Sequence, residues 1–338
     1  MSPDFKTLIN KIACGDTLTR QESYNAFDYM MSGDATGAQI GAFLMGLRLR
    51  GETIDEITGA TEAMRAKAHP ITAPDNAVDT CGTGGDGSHT YNISTAAAIV
   101  LASCGVSVAK HGNRAISSKS GSADVLESLG INIEAEMNSV ENSLSQIGIG
   151  FMMAPRHHSA MRHVGPSRTS LGTRTIFNLL GPLANPAGTK FQVIGVFDKK
   201  WTAPLAQVLG SLGSERVWVV HGADGLDELS ISGPSFVSEF TQGKVTTFEV
   251  TPEDAGLTHH PLTDIQGGDA KSNAKALTDI LKGEKNAYRD IVILNCAAAL
   301  LVAGKANDLK EGAEIAAKAI DSGDAIAKLE QWVTLSNG

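Results

Sequence analysis

The chain has 338 residues, 42% hydrophobic and 19% charged, which is length and apolar content enough for a folded core. At the usual ~100–200 residues per domain, two domains are expected. Lys and Arg number 28 against 37 Asp and Glu, a formal net charge of −9, which counts against general nucleic-acid or anionic-membrane binding and, at first sight, against phosphorylated substrates.

In chain order, the opening Met1-Ser-Pro-Asp-Phe-Lys6 carries no basic segment followed by an apolar run, so no secretion signal is expected. Residues 1–69 read as an all-helical domain. Thr19 with Glu22, and Thr53 with Glu56, fit the capping box, in which the hydroxyl and the carboxylate three residues on satisfy free amides at a helix start. The run 37–49 carries Ile40, Phe43, Leu44, Leu47 and Leu49 at roughly helical spacing. Pro70 to Pro74 breaks the pattern, and a second domain is expected over residues 75–338.

Short apolar runs then alternate with helical ones, at 77–80, 106–109, 151–154, 191–197 and 216–220. Such alternation predicts a larger α/β domain with a mostly parallel central sheet. Residues 235–240 and 244–250 flank Thr241-Gln-Gly243 and predict a β-hairpin, and the tail from Asp269 reads as mostly helical. The most apolar windows, 96–109 and 291–303, fall short of the ~20 residues a membrane span requires. Cys14, Cys81, Cys104 and Cys296 show no CxxC or zinc spacing, which suits a reducing cytoplasm.

Cys81-Gly-Thr-Gly-Gly-Asp-Gly87 formally contains G-x-G-x-x-G. A dinucleotide fold wants an acid about 20 residues on, whereas Val106 to Ala109 leads into Lys110. A Walker A loop is excluded, since no Gly-Lys is followed by Ser or Thr. What remains is a nest of converging amides suited to phosphate, with Ser94 or Thr95 at the start of the helix that follows. No acid lies between Asp86 and Asp124, an interval holding Lys110, His111, Arg114 and Lys119 among small polar residues, which together read as a phosphate-wrapping loop. A second acid-free interval, 142–197, holds Arg156, Arg162, Arg168, Arg174 and Lys190. Residues 87–197 thus carry a net charge of +3 and the remainder −12, so an anion site is expected inside an acidic protein. His157, His158 and His163 lack the spacing of a zinc pair and read as structural. The adjacent Asp227 and Glu228 follow a predicted strand and suit Mg2+ bridged to substrate phosphates.

Taken together, Gly82-Thr-Gly-Gly-Asp86, Asn92-Ile-Ser-Thr95, Lys110-His-Gly-Asn-Arg114, Arg174-Thr-Ile-Phe-Asn-Leu-Leu-Gly-Pro-Leu183 with Asn185-Pro186, and Gly225-Leu-Asp-Glu228 resemble anthranilate phosphoribosyltransferases over essentially the whole chain. The resemblance implies transfer of the phosphoribosyl group of phosphoribosyl pyrophosphate to the amine of anthranilate, in tryptophan biosynthesis. It implies a small helical domain hinged to the larger α/β domain, with part of 165–186 returning to the helical one, and a homodimer formed through the helical domains. Phosphoribosyl pyrophosphate contacts are then expected from Gly82, Gly85, Asp86, Thr90, Asn92, Ile93, Ser94 and Thr95 on one side. Lys110, His111, Gly112, Asn113, Arg114, Ala115, Ile116, Ser117, Ser118 and Ser122 are expected on the other. Gly82, His111, Asn113 and Arg168 are implied for anthranilate; Ser94, Asp227 and Glu228 are implied ligands of two Mg2+; and Lys110, Asp227 and Glu228 are implied in catalysis. Ser159, Ser167 and Thr173 depart from the family's usual residues on the anthranilate side. The alternatives are a pyrimidine-nucleoside phosphorylase of the same fold, which has no need of the Asp227–Glu228 pair, and a non-catalytic relative that binds nucleic acid, which the net charge disfavours.

Overall fold

The computed structural model describes residues 4–115 and 119–338. The N-terminal region forms α1 (Phe5–Ala13), α2 (Arg20–Ser32), α3 (Gly37–Arg50) and α4 (Ile54–Ala66). Both expected capping boxes are present, and Thr36 with Gln39 makes a third at the start of α3. Glu56 serves twice: it closes the box of α4, and its buried carboxylate also accepts from the Leu18 amide at 2.8 Å and pairs with Arg50. The cap therefore also ties α4 to the turn before α2.

The described residues that follow build a seven-stranded sheet from β1 (Val78–Gly82), β2 (Val108–Gly112), β3 (Ile149–Met153), β4 (Phe191–Gly195), β5 (Arg216–Gly222), β6 (Ser235–Thr241) and β7 (Lys244–Val250). The strands lie in the order β3-β2-β1-β4-β5-β6-β7, parallel through β5 and antiparallel beyond it. The β6–β7 hairpin turns at Gln242 and Gly243, both at positive φ, as a two-residue turn matching strand twist requires. The intervening helices are α5 (Ile93–Ser103), α6 (Ser122–Ser128), α7 (Met137–Gln146), α8 (Ala154–His157), α9 (Gly165–Leu171), α10 (Phe177–Leu183) and α11 (Thr202–Ser211). The chain closes with α12 (Ala270–Leu281), α13 (Ala287–Val302), α14 (Leu309–Asp321) and α15 (Asp324–Ser336). None of the described helices is long and apolar enough to cross a membrane.

Alternation along the strands supplies two cores. Val78, Val193, Trp218 and Val220 face α5 and α13–α15, while Cys81, Ile194, Val217 and Val219 face α11 and the N-terminal helices. The second core also takes in Val164, Ile176, Phe177, Leu179, Leu180 and Leu183, so the stretch around α9 and α10 packs on α1–α4 rather than with its neighbours in sequence. Three connections cross between these regions, after α4, after β3 and after α10, and the first is bonded to the other two: the His69 amide donates to the His157 carbonyl at 2.8 Å, and the Ile71 amide to the Pro186 carbonyl at 3.2 Å.

One sequence expectation is corrected here. The second apolar run was bounded at Ala109, but β2 continues to Gly112, which places Lys110 and His111 on a strand and not in a loop. Polar residues can prolong this buried strand because the Lys110 ammonium donates to the Thr80 carbonyl and the His111 amide to the Asp79 carboxylate.

Candidate active site

The first β1 crossover runs to β2 on one side, and the later strands add on the other, so the strand order reverses beside β1. In open α/β sheets ligands bind outside the carboxyl ends of the strands at such a point. A cleft of about 680 Å³ opens there, lined from the sheet by residues 81–95, Lys110–Ala115 and Asp227–Glu228, and from the helical side by Arg168, Phe177 and Pro182.

The Gly-rich loop leaves β1 with Gly84, Gly85 and Gly87 at positive φ, the conformation in which successive amides converge. It is pinned at three points. The Thr83 amide donates to the Gly195 carbonyl at 2.9 Å, the Gly84 amide to Asp227 Oδ2 at 2.7 Å, and the Arg174 guanidinium to the Gly85 carbonyl. Asn92, rather than Ser94 or Thr95, occupies the cap position of α5 and makes no side-chain cap bond. Its side-chain amide is engaged elsewhere, accepting from Asn273 at 3.0 Å and donating to the Ser120 carbonyl at 3.3 Å. Ser94 lies in the first turn, where its backbone amide donates to Glu228 Oε1 at 3.2 Å. That carboxylate thus sits at the positive end of α5, where an anion is favoured.

Asp227 and Glu228 lie on the loop after β5, half-buried rather than solvent-facing. The loop can fold back over the sheet because Gly82 and Gly195, in register on β1 and β4, leave room: a Cβ on either would collide with Asp227. Burial pushes both carboxyls up from the usual range, helped by Asp86 beside Asp227 and by Asp227 beside Glu228. Clustered carboxylates of this kind are relieved by a hard cation, and an all-oxygen set of two acids and a hydroxyl fits Mg2+ completing its shell with water and substrate oxygens. Among the described residues no group of three or more His, Cys, Asp or Glu forms a cage independent of substrate.

Lys110 is almost wholly buried; its ammonium donates to the Thr80 carbonyl and lies 3.4 Å from Ser94 Oγ. Next along β2, His111 packs on His158, ring centroids 5.2 Å apart. Burial pulls His111 down to about 3 and His158 to about 4, so both imidazoles are neutral at pH 7. Among the described residues, His111 Nε2 and both nitrogens of His158 have no hydrogen-bond partner. Arg168, on α9, stacks over Phe177 at 5.2 Å, is desolvated enough to lower its pKa, and pairs with no carboxylate among the described residues. A half-buried guanidinium with no counter-ion among the described residues is a site for an anion.

Most of the remaining expected residues meet at this cleft. Gly82, Gly85, Asp86, Thr90, Ile93, Thr95, Gly112, Asn113, Ala115 and Ser122 all line it. Ile116, Ser117 and Ser118 lie outside the described residues. Arg114 also borders the cleft, but its guanidinium is bound to Asp124 and Glu127 at 3.1 and 2.8 Å, so little of its charge is free for a ligand. The orphaned nitrogens of His158, read from sequence as structural, and the Arg174 contact to Gly85 were not anticipated. The only sequence signal for either was its place in the acid-free interval.

Comparison with known proteins agrees with this geometry. The helical bundle domain of a glycosyl transferase family matches residues 6–68, and that family's a/b domain matches 74–326. An anthranilate phosphoribosyltransferase of Rhodopseudomonas palustris (strain BisA53) is 58% identical over 99% of this chain and 98% of its own length. The chain belongs to the anthranilate phosphoribosyltransferase family. A second relative of that name, from Azospirillum brasilense, is 59% identical over 99% of this chain and 94% of its own. Among solved structures, the anthranilate phosphoribosyltransferase of Thermus thermophilus superposes with a TM-score of 0.93 at 43% identity, covering 98% of this chain and 99% of that one. The enzyme of Saccharomyces cerevisiae, solved in complex with PRPP and Mg, superposes with a TM-score of 0.89 at 28% identity, covering 98% of each chain.

Proposed function

We infer that this chain transfers the phosphoribosyl group of phosphoribosyl pyrophosphate to the amine of anthranilate, releasing pyrophosphate, as a step of tryptophan biosynthesis in the cytoplasm. The observation that carries the reading is the joining of two unlike anion sites in one cleft. A glycine nest, a helix start and a carboxylate pair lie on the sheet side, and a guanidinium with no carboxylate partner among the described residues lies on the helical side, with the neutral imidazoles of His111 and His158 also lining the cleft.

Arg168 receives the anthranilate carboxylate through two parallel hydrogen bonds, the geometry a guanidinium fork favours. His111, Asn113 and Gly82 border the ring. The nest formed by Gly82, Gly85, Asp86, Thr90 and residues 92–95 cradles the pyrophosphate, and Lys110 to Ala115 with Ser122 contact it from the other side. Ser94, Asp227 and Glu228 hold two Mg2+, which supply positive charge against the leaving pyrophosphate. Lys110 adds a fixed ammonium to the same developing charge, so catalysis is mostly positioning and electrostatics. No obligatory base is required, because the aromatic amine is neutral at pH 7 and can shed its proton after bond formation.

We place part of residues 165–186 with α1–α4 in the helical domain, supported by their shared core, and assign the three crossing connections as the hinge. The functional unit is a homodimer through the helical domains; Leu49, 81% exposed at the end of α3, supports an apolar contact there. The direct test follows the loss of anthranilate fluorescence with phosphoribosyl pyrophosphate and Mg2+. Mg2+-dependent turnover is expected, and its absence would overturn the assignment.

A further inference from the structure

The sheet is open between β1 and β2. Among the described residues these strands share one register pair, Val78 with Val108, whereas β1 matches β4, and β2 matches β3, over five positions each. Beyond that rung, side chains serve the backbone groups a ladder would have used. Asp79, fully buried on β1, accepts the His111 amide on Oδ1 at 3.1 Å and Asn185 Nδ2 on Oδ2 at 2.7 Å. Asn185 also donates to the Ala109 carbonyl at 2.9 Å, and Lys110 donates across the gap to the Thr80 carbonyl.

This is a costly way to join two strands. A buried carboxylate is expensive unless fully hydrogen-bonded, and an unbroken ladder would satisfy the same amides and carbonyls without one. A ladder, however, would draw the strand ends to the usual ~4.8 Å spacing. The side-chain brace takes the place of that ladder at the carboxyl ends, next to the reversal in strand order, and Lys110 and His111 line the cleft beside it. We propose that Asp79 and Asn185 are positioning residues, which hold the ends of β1 and β2 apart and so set where Lys110 and His111 stand. Neither acts on substrate; both act through β2. Asn185 comes from the segment after α10, so the brace also fixes the larger domain to the connection that returns from the helical one. The inference rests on the assignment of Lys110 to the leaving pyrophosphate.

The test compares Asp79→Asn and Asn185→Ser in the full-length chain, each alone and combined with Lys110→Met. The readouts are steady-state kinetics, calorimetric binding of phosphoribosyl pyrophosphate with Mg2+, and melting temperature. Asp79→Asn turns an amide NH2 toward a donor, and Asn185→Ser removes both donations of Asn185 together with its acceptance of the Ala187 amide. Each is expected to lower kcat/KM for phosphoribosyl pyrophosphate by about ten- to a hundredfold, the scale of a misplacement of ~1 Å. In the Lys110→Met background the same changes should lower calorimetric affinity by no more than about twofold, because Lys110, the group through which they reach the pyrophosphate, is gone. Unchanged kinetics in both single variants overturns the proposal. So does an equal loss with and without Lys110, which is the mark of a purely structural role. If Asp79→Asn does not fold, Asn185→Ser decides between these outcomes. If Lys110→Met alone leaves binding and turnover intact, it is the assignment of Lys110 that fails, and the brace loses its purpose with it.

Discussion

At the scale of single residues, the cleft is a set of unmet electrostatic demands. Arg168 is desolvated without a counter-ion, and Asp227 and Glu228 repel one another. Arg168→Ala is therefore expected to raise KM for anthranilate by about ten- to a hundredfold, the ~1.5–3 kcal/mol of a charged hydrogen-bonded pair. Phosphoribosyl pyrophosphate affinity, read by calorimetry, should change by less than about twofold. Equal loss of both would mean Arg168 is misassigned. Glu228 gives a prediction with a defined sign. Its folded pKa is raised, so the stability linked to its protonation is present at low pH and lost as pH rises through the folded value. Without metal, Glu228→Gln should melt a few degrees above the parent at pH 8, on the order of 1 kcal/mol, with the gap shrinking toward pH 5. Added Mg2+ should stabilise the parent more than the variant. A variant that melts below the parent at pH 8 would show that the pair is not under strain.

Among the elements, the Gly-rich loop is held by an arginine that is itself braced by the N-terminal helices. Arg48 on α3 donates to Thr173 Oγ1 and to the Arg174 carbonyl, and the Arg174 side chain stacks over Phe197 at 4.3 Å while reaching the Gly85 carbonyl. The hydroxyl of Thr173, one of the departures from the family's usual residues, thus has a partner in the helical bundle. Arg174→Ala should raise KM for phosphoribosyl pyrophosphate about tenfold while leaving KM for anthranilate within about twofold, measured by varying each substrate in turn. Elements with a local signature were readable from sequence: the capping boxes at Thr19 and Thr53, the hairpin about Gln242, and the Asp227–Glu228 loop at a strand end. The β2 extension was not, because Lys110 and His111 look like a loop until Asp79, Ser94 and Thr80 are placed around them. Arg174 and Asn185 were quoted as motif residues without a role, since their partners lie 76 to 106 positions away. No periodicity encodes such contacts.

At the scale of the molecule, net charge was a poor guide. The value of −9 averages a +3 stretch at the cleft with −12 elsewhere, so an acidic protein can hold an anion site. Association follows the same logic: sedimentation should give twice the chain mass, and Leu49→Glu should shift the distribution toward the monomer by placing charge in an apolar contact. A parent protein that stays monomeric at micromolar concentration would remove the proposed interface. The core shared by α1–α4 with residues 164–183 carries a further consequence, for synthesis. The ribosome releases the first four helices more than a hundred residues before α10, at ~5–20 residues per second a delay on the order of ten seconds. Phe27 must wait that long for Phe177, whose ring it meets edge-on with centroids 5.3 Å apart. The N-terminal helices are the first part of this protein to be made and cannot be the first part to be finished.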